Sequence, residues 1–238
     1  MTNNKIRQYK KDMEFSYTLG VYPTIELLKH APQRAMQVFI SPNGDRNEGI
    51  SYIKDLCRKH AITVDVSERV FNIVADKTNI YAVGVFKKFK SELKTDENTV
   101  VLYKPADSGN LGTIIRTMQG FGINNLAIIE PAVDIFNPKT VRSSMGSIFT
   151  INFKYFRSME EFIRTNKSPI YLSMLGAKQT VDKLKIDTPW ILVFGSEAEG
   201  LPKQFAKLGT TFTIPQKKNI DSYNLAVSTG ICLYEFSK

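Results

Sequence analysis

The second half of the chain is an alternation of short, wholly apolar runs and helical patterns, and this alternation constrains the fold more than any other feature. Strand-like segments at Thr99–Tyr103, Leu126–Ile129, Ile148–Phe153, Ile170–Leu175, Trp190–Phe194 and Thr211–Ile214 alternate with helical patterns at Leu111–Phe121, Met159–Thr165, Lys203–Leu208 and Leu225–Phe236. A strand that is apolar on both of its faces has to be covered on both sides. Strands separated by helices are therefore expected to form a parallel sheet inside an α/β domain.

A smaller alternation precedes it. Runs at Gln37–Ile40, Ile62–Val66 and Ile80–Phe86 are separated by helical patterns at Thr24–His30 and Asn47–His60, which suggests a small α/β unit. Residues 87–98, KKFKSELKTDEN, are charged and nearly free of apolar side chains, and mark the change from one pattern to the other. The expected organisation is a small unit over 1–90, a linker over 91–98 and the larger domain over 99–238.

Charge bears on partners. The chain has 32 Lys and Arg against 23 Asp and Glu, a net charge of +9. Residues 1–95 hold 16 basic and 10 acidic side chains, an excess of 6, whereas residues 96–238 hold 16 and 13, an excess of 3. If the partner is a nucleic acid, the first part contributes strongly, with Lys5, Arg7, Lys10 and Lys11 as candidate phosphate contacts. No apolar run approaches the roughly 20 residues of a membrane span, so neither a membrane nor a secreted location is expected. Cys57 and Cys232 have no metal-ligand spacing, which points away from a zinc site or a disulfide framework and toward a reducing cytoplasm.

In open parallel sheets, ligands bind at the loops that leave the carboxyl ends of the strands. Three such loops stand out. In ADSGNLGTIIRTMQGFG, Asn110 suits a helix cap and Arg116 follows two turns later. In VFGSEAEGLP, Gly195 and Gly200 supply backbone freedom, and Glu197 and Glu199 would repel phosphate but suit a cation. Glu197 breaks the G-x-G-x-x-G pattern and Leu201 stands where a phosphate loop needs Lys, which disfavours dinucleotides and nucleoside triphosphates. In TIPQKKNIDSYNLAVSTGICLYE, a polar loop leads into an apolar helix expected to be buried on nearly all sides, with Asp221 or Ser222 as its cap. Each loop taken alone also fits a purely structural role.

Together the three loops resemble the SpoU family of RNA 2′-O-ribose methyltransferases, in the SPOUT superfamily. Asn110, Gly112 and Arg116 are similar to its first motif, Gly195, Glu197 and Gly200 to its second, and Ile214, Pro215, Ser222 and Asn224 to its third. The stretch RSSMGSIF, with Arg142, resembles an Arg- and Ser-rich segment of the family, and GVYPTIELLKH resembles the first helix of a small ribosomal-protein-like RNA-binding domain. TNIYAVGVF departs from the His-Gln-Gly stretch common in that domain.

The resemblance implies a trefoil-knotted parallel-sheet domain after the RNA-binding one, a homodimer, and S-adenosyl-L-methionine as cofactor. By the same resemblance, Asn110, Arg116, Glu197, Ser222 and Asn224 form the catalytic set, with Arg116 preferred as a clamp on the target nucleotide over a base. Leu175, Gly195, Ile214, Tyr223 and Leu225 line the cofactor, Arg142 touches RNA, and no metal takes part. Ribosomal RNA is the expected substrate; a tRNA target, or a non-catalytic assembly factor of the same fold, is the alternative.

Overall fold

The computed structural model describes residues 6–44, 47–74, 79–217 and 219–238. The chain divides into two compact units: residues 1–89 with 134–149, and residues 90–133 with 150–238.

The first unit holds a four-stranded mixed sheet in the order β1-β4-β2-β3, from β1 (Phe15–Leu19), β2 (Ala35–Ile40), β3 (Val64–Val66) and β4 (Ala82–Lys87). β4 runs antiparallel to β1 and β2, and β3 runs parallel to β2. The helices are α1 (Val21–His30), α2 (Glu48–Lys59), α3 (Glu68–Val74) and, from the later segment, α5 (Pro138–Ser143). Asn47 caps α2 by accepting from Gly49 N at 3.0 Å, and Arg58 and Lys59 sit in its last turn, where cations suit the helix dipole. β1 reads FSYTL, and its Ser and Thr hid it in the sequence. Both are buried and bonded: Ser16 Oγ donates to Phe136 O at 2.5 Å, and Thr18 Oγ1 accepts from Gly84 N at 2.9 Å.

The segment Asp134–Phe149 packs into this unit through aromatic side chains. Phe136 meets Phe89 at 5.1 Å and Phe149 meets Phe86 at 5.0 Å, both edge-on. Asp134 accepts from the Tyr9 hydroxyl and pairs with Lys88 at 3.5 Å, with both side chains of the pair largely buried. The expected strand Ile148–Phe153 is accordingly formed only in its last two residues. Ser147–Phe149 is a 3₁₀ turn after Gly146 (φ +87°), because Phe149 is drawn into this aromatic cluster, and the strand begins only at Asn152.

The second unit holds six parallel strands in the order β10-β8-β9-β5-β6-β7. These are β5 (Thr99–Tyr103), β6 (Asn125–Ile129), β7 (Asn152–Phe156), β8 (Ile170–Ser173), β9 (Ile191–Phe194) and β10 (Thr210–Phe212). The central strands β5, β6 and β9 are buried along almost their whole length, as strands covered on both faces must be. Helices α4 (Ser108–Gly120), α6 (Met159–Thr165) and α7 (Leu225–Phe236) accompany the sheet, and the expected helix at Lys203–Leu208 is a 3₁₀ turn over Lys203–Lys207.

Residues 91–98, expected as a linker, are fastened to this unit. Asn125 accepts from Lys94 N at 3.2 Å and donates to Lys94 O at 2.7 Å, Ser91 Oγ accepts from Phe153 N, and Glu92 pairs with Lys154. Helix α7 is not buried on every side either. Phe236 packs edge-on against Trp190 and Tyr171 and Cys232 is fully buried, while Val227 and Tyr234 are 50% and 57% exposed.

Candidate active site

The carboxyl ends of β5 and β9 and the start of α7 bring three amide and carboxylate side chains into one chain of hydrogen bonds. Asn224 Nδ2 donates to Asn110 Oδ1 at 3.0 Å, and Asn110 Nδ2 donates to Glu197 Oε1 at 3.1 Å. Residues 87 and 114 positions apart thus meet within the second unit.

Each is held from behind. Asn224, not Asp221 or Ser222, is the cap of α7, its Oδ1 accepting from Ala226 N at 2.8 Å and Val227 N at 3.4 Å. Asn110 is likewise not the cap of α4. Asp107 takes that role by accepting from Asn110 N at 2.8 Å, which leaves the Asn110 side chain free to reach across to the other two loops.

Glu197 accepts three bonds from other residues: Asn110 Nδ2, Ala106 N at 3.1 Å and Asp107 N at 3.3 Å. Partial burial raises its carboxyl pKa. The bonds from Asn110 and from the backbone of Ala106, Glu197 and Asp107 outweigh that and hold it below the ordinary value. Glu197 is therefore an ionised strut between the loops at neutral pH rather than a proton donor.

The loop that presents Glu197 is a tight hairpin. Ser196 and Gly200 exchange backbone bonds, Ser196 N donating to Gly200 O at 3.3 Å and Gly200 N to Ser196 O at 3.1 Å. A Cβ on Gly195 would lie 2.1 Å from Gly200 C, so the chain passes too close for any side chain there, and Gly200 has φ +67°.

Beside this network a cleft of about 440 Å³ opens at the carboxyl ends of β8, β9 and β10. Leu175, Gly195, Ile214, Ser222, Tyr223 and Leu225 all line it, as do Glu197 and Asn224. Leu175 is 67% exposed, a large apolar surface held open at the cleft wall. Such a mixture of apolar faces and polar groups suits a small organic ligand that has both kinds of surface.

Arg116 lies outside the cleft wall, exposed on α4, and makes no hydrogen bond or ion pair among the described residues. Its guanidinium is free to meet a ligand. In the first unit, Arg142 is half-buried on α5, and Arg7, Lys10 and Lys11 are exposed on the stretch before β1; Lys5 lies outside the described residues. Asp107, Met174, Ser196 and Gln216 were not singled out from sequence. Asp107 was within reach of that reading, since an Asp three residues before Asn110 is as good a cap as Asn.

Residues 97–234 match the model of the SpoU rRNA Methylase family. The chain belongs to that family. Among its relatives, an uncharacterized tRNA/rRNA methyltransferase of Synechocystis is 34% identical over 140 residues, 57% of this chain and 51% of that protein. The 23S rRNA (guanosine-2′-O-)-methyltransferase RlmB of Pectobacterium atrosepticum is 25% identical over 235 residues, 91% of this chain and 95% of that one. The chain spans about half the length of the Synechocystis relative and of a Streptomyces viridochromogenes 23S rRNA (uridine-2′-O)-methyltransferase. Among solved structures, an AdoMet-bound rRNA methyltransferase from Sinorhizobium meliloti superposes with a TM-score of 0.78 at 26% identity, covering 93% of this chain and 86% of that one. SpoU membership and the parallel α/β architecture thus agree with the reading of the three loops.

Proposed function

We propose that this protein transfers a methyl group from S-adenosyl-L-methionine to a ribose 2′-hydroxyl of RNA, with ribosomal RNA as the substrate class. The observation that carries the reading is the Asn110–Glu197–Asn224 network standing beside a cleft of mixed apolar and polar lining at the carboxyl end of a parallel sheet. Family membership and the 2′-O-methyltransferase relatives support it.

The cleft fits the cofactor. Its volume takes a nucleoside with a short tail, Leu175, Ile214 and Leu225 offer apolar faces, and Gly195 leaves backbone accessible for polar contacts with an adenine. When bound, the cofactor supplies a methyl on a positively charged sulfur. Transfer would exchange that C–S bond for a C–O bond to the ribose, with the hydroxyl proton released to solvent, and Leu175, Gly195, Ile214, Tyr223 and Leu225 would hold the donor.

Catalysis by this chain's residues is then mainly positioning. Glu197 fixes the loop before α4 through Ala106 and Asp107, Asn110 and Asn224 lock that loop to α7, and Ser222 and Tyr223 present the polar rim. Arg116 acts as a clamp that orients the target nucleotide and stabilises charge on the ionising oxygen, because a guanidinium stays protonated in proteins.

RNA affinity comes from the first unit, through Arg7, Lys10, Lys11 and Arg142 and, in sequence, Lys5. The exposed Val227 and Tyr234 on α7 support a homodimer that covers this helix. Both cysteines are free and buried, which supports work in the cytoplasm, and no helix among the described residues is long and apolar enough to cross a membrane.

The test is transfer of labelled methyl from S-adenosyl-L-methionine to bulk ribosomal RNA, followed by alkaline hydrolysis. One phosphodiester gains resistance if a 2′-O-methyl forms. A methylated base without that resistance, or tight RNA binding without cofactor binding, overturns the reading.

A further inference from the structure

The two carboxylates of the hairpin differ in how they are used. Glu197 is saturated with N–H donors, whereas Glu199 is exposed and lines the cleft, and its carboxylate has no hydrogen bond or ion pair among the described residues. Only its backbone is tied down, Glu199 N donating to Ser196 Oγ at 3.2 Å. Among the described residues, the rest of the cleft wall has no Lys, Arg or His. The hairpin therefore puts two negative charges into the cleft, Glu197 tied to neutral N–H donors and Glu199 open, and neither faces a cation among the described residues.

A sphere of the cleft's volume is about 9 Å across, close to the screening length of about 8 Å in physiological salt. A charge anywhere inside it thus feels the Glu199 carboxylate. The proposed reaction lowers the ligand's charge by one, because a sulfonium becomes a neutral thioether while the ammonium and carboxylate of its tail stay as they were. We infer that Glu199 makes the cleft charge-selective, favouring the sulfonium cofactor over the thioether product so that the product leaves after transfer. This rests on the methyl-transfer reading and adds a specificity determinant to it.

The experiment is calorimetric titration of the full chain and of Glu199→Gln with three ligands: S-adenosyl-L-methionine, S-adenosylhomocysteine, and sinefungin, which carries an ammonium in place of the sulfonium. The substitution is isosteric on an exposed loop and leaves the Ser196–Gly200 bonds in place. The expected result is that the preference for the sulfonium over the thioether falls about three- to fivefold, the scale of a solvent-screened ion pair, with sinefungin following the sulfonium. Raising salt narrows the same preference in the wild type and narrows it less in the variant, where only the Glu197 charge remains. An unchanged preference in Glu199→Gln overturns this inference alone, including the case in which all three ligands weaken equally because Glu199 holds a group they share. A wild type that binds none of the three overturns the methyl-transfer reading and this inference with it.

Discussion

The two ends of the six-stranded sheet each open a cleft of similar size, about 440 Å³ at the carboxyl end and about 420 Å³ at the amino end, and each cleft has two carboxylates in its wall. Each leaves one carboxylate without a partner among the described residues, Asp96 at the amino end and Glu199 at the carboxyl end, but the bonds around them differ. At the amino end, bounded by Asp96–Asn98, Gly122–Asn124 and Thr188–Pro189, the bonds close on structure: Asn98 Oδ1 accepts from Trp190 N, Asn125 is tied to Lys94, and Glu97 pairs with Lys94 at 2.9 Å. At the carboxyl end the bonds join loops far apart in sequence, while Arg116 and Glu199 keep their charges without a partner among the described residues. A cleft's size therefore says little about its use, and a chain of side-chain bonds joining three loops beside an open guanidinium says more.

The largest effect expected from this contrast is at Arg116. Arg116→Ala should lower single-turnover methyl transfer by roughly 10²–10³-fold, the cost of deleting a charge-stabilising donor, while cofactor affinity measured by calorimetry stays within about twofold, since the residue is outside the cleft wall. Turnover that is unchanged would remove Arg116 from the reaction.

The next contrast is between two glycines. In Gly195→Ala the new methyl would overlap the Gly200 backbone, so the hairpin must open and cofactor affinity should fall by more than about tenfold, as for a group displaced from its working geometry. Gly122→Ala, at the amino end, meets no atom within 4 Å and suffers only from its φ of +71°. It should cost about 1 kcal/mol of stability in a urea titration and leave affinity alone. Equal effects at the two sites would dissolve the distinction between the ends.

Asn125 probes the amino end from its buried side. Asn125→Ala strands the Lys94 backbone groups and should cost about 2 kcal/mol of unfolding free energy. Its turnover, measured well below the melting temperature, should match the wild type.

The sequence revealed these ends unequally. The α6 and α7 bounds are legible because their apolar patterns start and stop sharply, and β9 because four consecutive buried residues, Ile191–Phe194, leave no other reading. At the carboxyl end, six positions named from sequence, Leu175, Gly195, Ile214, Ser222, Tyr223 and Leu225, share the cleft wall with Glu197 and Asn224. The caps were not legible. Asp107 and Asn110 are both good cap formers within one turn, and the loop before α4 is held where it is by Glu197, 90 residues later, gripping Asp107 N. Likewise Ile148–Phe149 has the composition of a strand, and its long-range partners Phe86 and Phe89 hold it as a turn. Local pattern fixes elements; contacts distant in sequence decide where those elements end.

The smallest expected effect tests whether Glu197 is a strut. Its carboxyl ionises near about 4.3 in an unfolded chain and at a lower value when folded, since burial raises the pKa less than the bonds from Asn110 and the Ala106, Glu197 and Asp107 backbone lower it. A depressed folded value means that the stabilisation is complete above the unfolded value and is lost as pH falls through the folded one. Glu197→Gln should therefore be less stable than the wild type by about 1 kcal/mol at neutral pH, a figure reduced for solvent screening at a partly exposed site. The gap should persist down to about pH 5 and close below the folded pKa. A gap that widened toward acid would mean that the carboxyl is protonated in the native state, and Glu197 would then be a proton carrier in the site and not the ionised tie between its loops.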